Sequence, residues 1–140
     1  MLDQNLPRRP IGIALLAIIF VVGIFLRMTP QAFSPGATFH FLAPLHPQPA
    51  WTKIGFDEGL YREYVNAVAK DGLSSYPAIV QGYIEVQKEL PGSILPPLRF
   101  LYIFTAYLWR STFRSETLDA LRQVASFFSI LTLGLAAVFA

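Results

Sequence analysis

The run Ile11-Gly12-Ile13-Ala14-Leu15-Leu16-Ala17-Ile18-Ile19-Phe20-Val21-Val22-Gly23-Ile24-Phe25-Leu26 holds no charged residue, follows Pro7-Arg8-Arg9-Pro10 and is closed by Arg27. As an α-helix it rises about 24 Å, so the span is expected to cover 11–28, with the flanking arginines reaching the interface. Pro10 suits a first helical turn, where its missing N–H removes no hydrogen bond. A cleaved signal peptide is the competing reading. Leu26-Arg27-Met28-Thr29-Pro30 offers no small-x-small cleavage site, and the run exceeds a usual signal core, so a retained anchor is expected.

Two further apolar blocks follow, at 94–109 and 124–140. The chain is 54% hydrophobic against 14% charged, which places it with membrane proteins and not with soluble domains. A net charge of +2, scattered along the chain, gives no footprint for nucleic acid. No cysteine is present, which excludes disulfides and thiolate metal sites. The expected fold is an all-α membrane protein with three transmembrane helices and one long polar interval.

That interval, 29–93, divides in two. Pro30, Pro35, Pro44, Pro47 and Pro49 argue for an extended connector in its first half. Phe33, Phe39, Phe41 and Trp51 are suited to the headgroup layer. In the second half Leu60, Tyr61, Tyr64, Val65 and Val68 recur at three- and four-residue steps, and Asp71-Gly72 supplies a stop. An amphipathic helix is expected near 58–70 and a weaker one near 77–90, ended by Pro91-Gly92. Pro96-Pro97 and Arg99 sit near the start of the second block, tolerable at an interface and costly at a bilayer centre.

Arg8 and Arg9 precede the first block, while Arg110, Arg114 and Arg122 lie in the connector 110–123 before the third. The positive-inside rule then predicts a cytoplasmic N-terminus (1–10), a cytoplasmic turn at 110–123 and an extracytoplasmic loop at 29–93, in a plasma or inner membrane. The third block is apolar through Ala140, with no closing loop, so a truncated reading frame is expected. Asp57 and Glu58, in Gly55-Phe56-Asp57-Glu58-Gly59-Leu60-Tyr61, face the extracytoplasmic side on this reading.

The ordered set of motifs resembles the membrane-embedded glycosyltransferases of the GT-C class, particularly the protein O-mannosyltransferases and aminoarabinose transferases. Phe56-Asp57-Glu58-Gly59-Leu60-Tyr61 looks like that family's Asp-Glu loop, and Leu95-Pro96-Pro97-Leu98 is similar to its Pro-Pro-Leu opening of the second span. Ser115-Glu116, Ala120-Leu121-Arg122 and Ser126-Phe127-Phe128 follow in the family's order. The resemblance covers nearly the whole chain, as the N-terminal part of a larger enzyme. Two departures are Leu95, where the family often has His or Lys, and Arg99, which precedes Phe100 where the family has paired aromatics.

The resemblance implies inverting transfer of a sugar from a polyprenyl-phosphate donor to an acceptor protein or glycolipid outside the cytoplasm. It makes Asp57 and Glu58 the catalytic candidates, with Asp57 the base that takes the acceptor proton. Glu58 is left to hold an acceptor, a metal or a structural partner. Tyr61, Arg62 and Arg99 are the substrate-binding candidates, with Lys70 a further cation for a leaving phosphate. Each also has a plainer reading: Asp57 as a helix N-cap, Arg62 and Lys70 as solvated helix surface, Arg99 as a snorkelling cation, Tyr61, Tyr64 and Tyr76 as interfacial anchors. A divalent cation is admitted by the family, but His40 and His46 lack a ligand spacing and no metal ligand is assigned. The alternative is a small non-enzymatic membrane subunit that packs into a larger complex through its spans, aided by Gly134, Ala136 and Ala137.

Overall fold

The computed structural model describes residues 8–46, 54–90, 92 and 98–139. Among these every regular element is helical: α1 (Arg8–Arg27), α2 (Phe56–Asp71), α3 (Tyr76–Glu89), α4 (Phe100–Phe113) and α5 (Thr117–Phe139), with 3₁₀ turns at Pro30–Phe33, His40–Leu45 and Leu73–Ser75. Pro91, Trp51 and the segment Ser93 to Pro97, which holds the start of the second apolar block and its Pro-Pro pair, lie outside the described residues. The chain forms two compact units, one of residues 1–49 and 125–140, the other of 50–124.

In the first unit α1 packs against the distal part of α5. Arg27 Nε donates to Ser129 Oγ at 2.8 Å, and Ser126 Oγ donates to the Arg27 carbonyl. A Cβ added at Gly23 would stand 2.6 Å from Leu133 Cδ2, and one at Gly134 would stand 4.0 Å from Phe20. Positions descending on α1 meet positions ascending on α5, so the two helices run antiparallel. Three alternating spans at 11–28, 94–109 and 124–140 would instead run the first and last in the same direction. Gly23 lets the pair approach closely, and the Arg27 side chain finds acceptors on both helices, Ser129 and the Gly23 carbonyl. Ile13, Val21 and Val138 point outward, each more than half exposed. α5 is long and apolar enough to cross a membrane, while Ile11–Arg27 is a shorter apolar helix.

The proline-rich stretch after α1 differs from the extended connector expected of it. Pro30 occupies a first helical position, and short 3₁₀ turns have few interior N–H groups for a proline to remove. These turns fold Phe33 onto Phe25, with ring centroids 5.5 Å apart, and His46 stacks on Phe33 at 4.1 Å. Phe33 is therefore buried and not a headgroup anchor, whereas Phe39 and Phe41 are exposed.

The second unit is built on α2. Tyr61, Val65 and Val68, one stripe at helical spacing, pack with Ile103 and Ala106 of α4 and with Leu121 and Val124 of α5. Gly72, at φ 74°, ends α2, its N–H donating to the Val68 carbonyl. α4 turns back through Arg114, held at φ 52°, into α5, where the Glu116 carboxylate accepts from the Leu118 N–H at 2.7 Å. Thr117 Oγ1 donates to Asn66 Oδ1 at 2.6 Å. The expected turn over 110–123 thus shrinks to Arg114–Glu116, because Ala120, Leu121 and Val124 give the segment a buried helical face. α4 rises about 21 Å over its length, short of a hydrocarbon core of about 30 Å.

Candidate functional site

The site is assembled at the N-terminal end of α2. Gly55 is the N-cap residue, so Asp57 is not the cap. The Glu58 side chain reaches back to accept the Gly55 N–H at 3.3 Å, the acidic half of a capping box. Glu58 also receives Arg122 in a bidentate pair, Nε to Oε1 at 2.9 Å and Nη2 to Oε2 at 3.0 Å. That pairing arises because the start of α5 runs antiparallel to α2, with Asn66 meeting Thr117 further along. The positive-inside reading set Glu58 and Arg122 on opposite faces of a bilayer; the structure puts them in one ion pair.

The Arg122 guanidinium holds the Glu58 carboxyl below its ordinary value of 4.5, with partial burial opposing the shift and the Gly55 amide adding to it. A depressed folded pKa stabilises the fold above the unfolded value and loses that contribution as pH falls through the folded one. The parent protein is therefore expected to melt above Glu58→Gln at pH 7, with the gap closing as acid carries pH below about 4.5. With side chains 36% and 38% exposed, solvent screening keeps the pair's contribution under about 1 kcal/mol. Thermal melts of both proteins in the same detergent check this, and a gap independent of pH would remove the ion pair as its source.

Asp57 differs from its neighbour. It is exposed on the first turn of α2, and among the described residues no ion pair or hydrogen bond holds its carboxylate. Tyr61, one turn on, is 5% exposed and sits edge-on to Tyr102 at 5.3 Å. Burial raises the Tyr61 hydroxyl's pKa, with the Arg99 charge opposing and the Asp57 charge adding to the shift. Tyr61 is thus a core residue, and Arg99 is the N-cap of α4. Arg62 lies on another flank, lining a shallow depression with Ile54, Gly55, Phe56 and Gly59. Lys70 is in the last turn, about 20 Å along the axis from Asp57, and does not join the carboxylates.

In the first unit His46 is buried in an aromatic cluster with Phe25 and Phe33, and His40 lies against the Ala37 carbonyl. Among the described residues no group of three or more His, Asp and Glu side chains is placed to hold a metal ion. Arg122 is the site residue that sequence reasoning missed as a partner. The signal was available in Ala120, Leu121 and Val124, whose spacing puts Arg122 on the helix they define.

No protein-family model, curated protein or solved structure matches this chain. Fold and site define an all-helical protein, among the described residues, with one helix able to span a membrane and an unpaired carboxylate beside a paired one.

Proposed function

We propose that this chain is the N-terminal portion of a GT-C-class membrane glycosyltransferase acting on a polyprenyl-phosphate sugar outside the cytoplasm. The observation that carries it is the division of labour between adjacent carboxylates. Glu58 is neutralised by Arg122 and held in structure, while Asp57 is left unpaired and exposed, its carboxylate open to accept a proton. As the acceptor oxygen bonds to the anomeric carbon, its proton passes to the Asp57 carboxylate. The bond from that carbon to the phosphate oxygen breaks, and polyprenyl phosphate leaves. Arg99, at the N-cap of α4, is the cation proposed to stabilise the phosphate charge. The ordered motifs from Phe56 to Phe128 support the same reading. Membranes carrying the intact reading frame should transfer label from a radiolabelled polyprenyl-phosphate hexose to endogenous acceptor. No transfer above control membranes, with any hexose offered, refutes the proposal.

The membrane topology we propose has α1 and α5 as spans, with the N-terminus cytoplasmic and the segment between them extracytoplasmic. It rests on the antiparallel α1–α5 contacts, the short α4 and the Glu58–Arg122 pair. Arg8 and Arg9 set the orientation, because long translocated segments follow an anchor largely regardless of charge. α4 is then not a span, a further departure from the family's pattern. The absence of native cysteine allows a direct test with Lys88→Cys and Thr112→Cys, both exposed positions. An impermeant maleimide added outside intact cells should label both. Labelling of Lys88→Cys with protection of Thr112→Cys would restore three spans.

The antiparallel α1–α5 pair also favours the second reading, a membrane-anchored subunit with an exposed docking domain. That reading predicts that losing the Asp57 carboxylate changes nothing.

A further inference from the structure

Arg27 closes α1, and its side chain does not reach away from the helix as a snorkelling cation would. The guanidinium folds back one turn: Nη1 donates to the Gly23 carbonyl at 3.0 Å, and Nε donates to Ser129 Oγ of α5 at 2.8 Å. Gly23 makes the room, since a Cβ there would stand 3.4 Å from Nη1 and 2.6 Å from Leu133. Ser126 Oγ donates to the Arg27 carbonyl, so the end of α1 is tied to α5 through backbone and side chain alike. An exposed arginine is thus fixed in one orientation by acceptors from two helices.

Those acceptors are neutral and leave the charge uncancelled. Among the described residues of this unit, 8–46 and 125–139, no aspartate or glutamate occurs. Nη2 has no hydrogen-bond partner among the described residues, so that edge of the guanidinium fork stays open.

The level along the helix pair sets where the missing anion is found. The charge-free run of α1 ends at Leu26. On α5 the buried residues end at Val124, and the exposed large apolar ones begin at Phe127. Arg27, Ser126 and Ser129 meet at that change, which is where hydrocarbon gives way to headgroups around a spanning α5. A cation there is costly without a partner. Phosphate is the headgroup anion at that level, and the planar guanidinium presents paired donors that match its oxygens. We propose that Arg27, held by Ser129 and the Gly23 carbonyl, binds the phosphate of an anionic phospholipid through its Nη2 edge. The site goes beyond the transferase reading and rests on the membrane reading of α5.

The test uses the full chain in mild detergent, with native mass spectrometry comparing bound phosphatidylglycerol with diacylglycerol of the same acyl chains. The parent should retain phosphatidylglycerol and not diacylglycerol, and equimolar inorganic phosphate should not displace the lipid. Arg27→Gln should weaken retention about tenfold or more, the scale of a charge-assisted hydrogen bond. Ser129→Ala keeps the charge and removes the Nε acceptor, so it should weaken retention about two- to tenfold, which attraction to bulk charge would not produce. Lys88→Gln removes one exposed cation elsewhere and should change nothing. Circular dichroism melts separate lost binding from lost fold, and should Arg27→Gln unfold, the smaller deletion Ser129→Ala decides. Equal retention of diacylglycerol, undiminished retention in a folded Arg27→Gln protein, or unchanged retention in Ser129→Ala overturns the site. Displacement by inorganic phosphate overturns the lipid as its source, and an equal loss in Lys88→Gln reduces the effect to net charge and overturns it too. Release of the chain from membranes by alkaline carbonate overturns the membrane reading on which it rests.

Discussion

Asp57→Asn, on the proposed transferase reading, is expected to lower the transfer rate by about 10²–10⁴-fold, the usual contribution of a positioned general base. The amide keeps the carboxylate's size and removes its basicity. Gly55 is the N-cap and Glu58 supplies the side-chain contact to it, so the helix start does not depend on Asp57. The structural cost is limited to a first-turn charge facing the helix dipole, about 0.3–1 kcal/mol. Rate and stability should therefore separate: a large fall in kcat beside a nearly unchanged melt and unchanged insertion. Glu58→Gln should show the opposite weighting, because its carboxylate is held by Arg122 and the Gly55 amide. The measurement is steady-state transfer by purified protein with a saturating polyprenyl-phosphate sugar. Near-parental turnover by a folded Asp57→Asn protein would take Asp57 out of the chemistry and give the lead to the docking-subunit reading.

Leu121→Ala is expected to be the most damaging conservative truncation in the second unit. Leu121 is 1% exposed and packs among Tyr61, Val65, Val68, Ile103 and Val124. Truncating a buried leucine costs about 2–5 kcal/mol, lost transfer energy plus the cavity left behind. The Tyr102 hydroxyl also donates to the Leu121 carbonyl at 3.0 Å, so a shift of this turn disturbs a second contact. Hydrogen exchange should show α2 amides losing protection, since α2 is held by this cluster. Amides of α1 should keep theirs, because α1 belongs to the other unit. Leu131→Ala, at a 47% exposed position on the same helix, supplies the control and should leave α2 protection unchanged. Equal protection of α2 in parent and Leu121→Ala would show that this cluster does not hold α2.

Helix boundaries show where local signals were sufficient. The stripe Tyr61, Val65, Val68 and the stop at Gly72 put a helix near 58–70, and α2 runs Phe56–Asp71. The weaker pattern near 77–90 became Tyr76–Glu89, with Pro77 in its first turn. Local reading failed at 110–123, where Arg110, Arg114, Glu116 and Asp119 look like a polar connector. The helical face formed there by Ala120, Leu121 and Val124 needs α2 and α4 as its partners. Proline density also misled over the described part of that stretch, 29–46, because prolines that exclude long helices are compatible with single 3₁₀ turns.

The sequence alone determined the helical class and the presence of a membrane-length apolar helix, because side-chain period and hydropathy are local properties that short windows of residues carry. It also singled out the Asp57–Glu58 pair. Which of the two stays free was decided only in three dimensions, by Arg122 arriving from a helix 64 residues away in sequence. The direction of α1 against α5 was decided there too. Hydropathy has no sense of direction, whereas the fit of Gly23 to Leu133 and of Arg27 to Ser129 does.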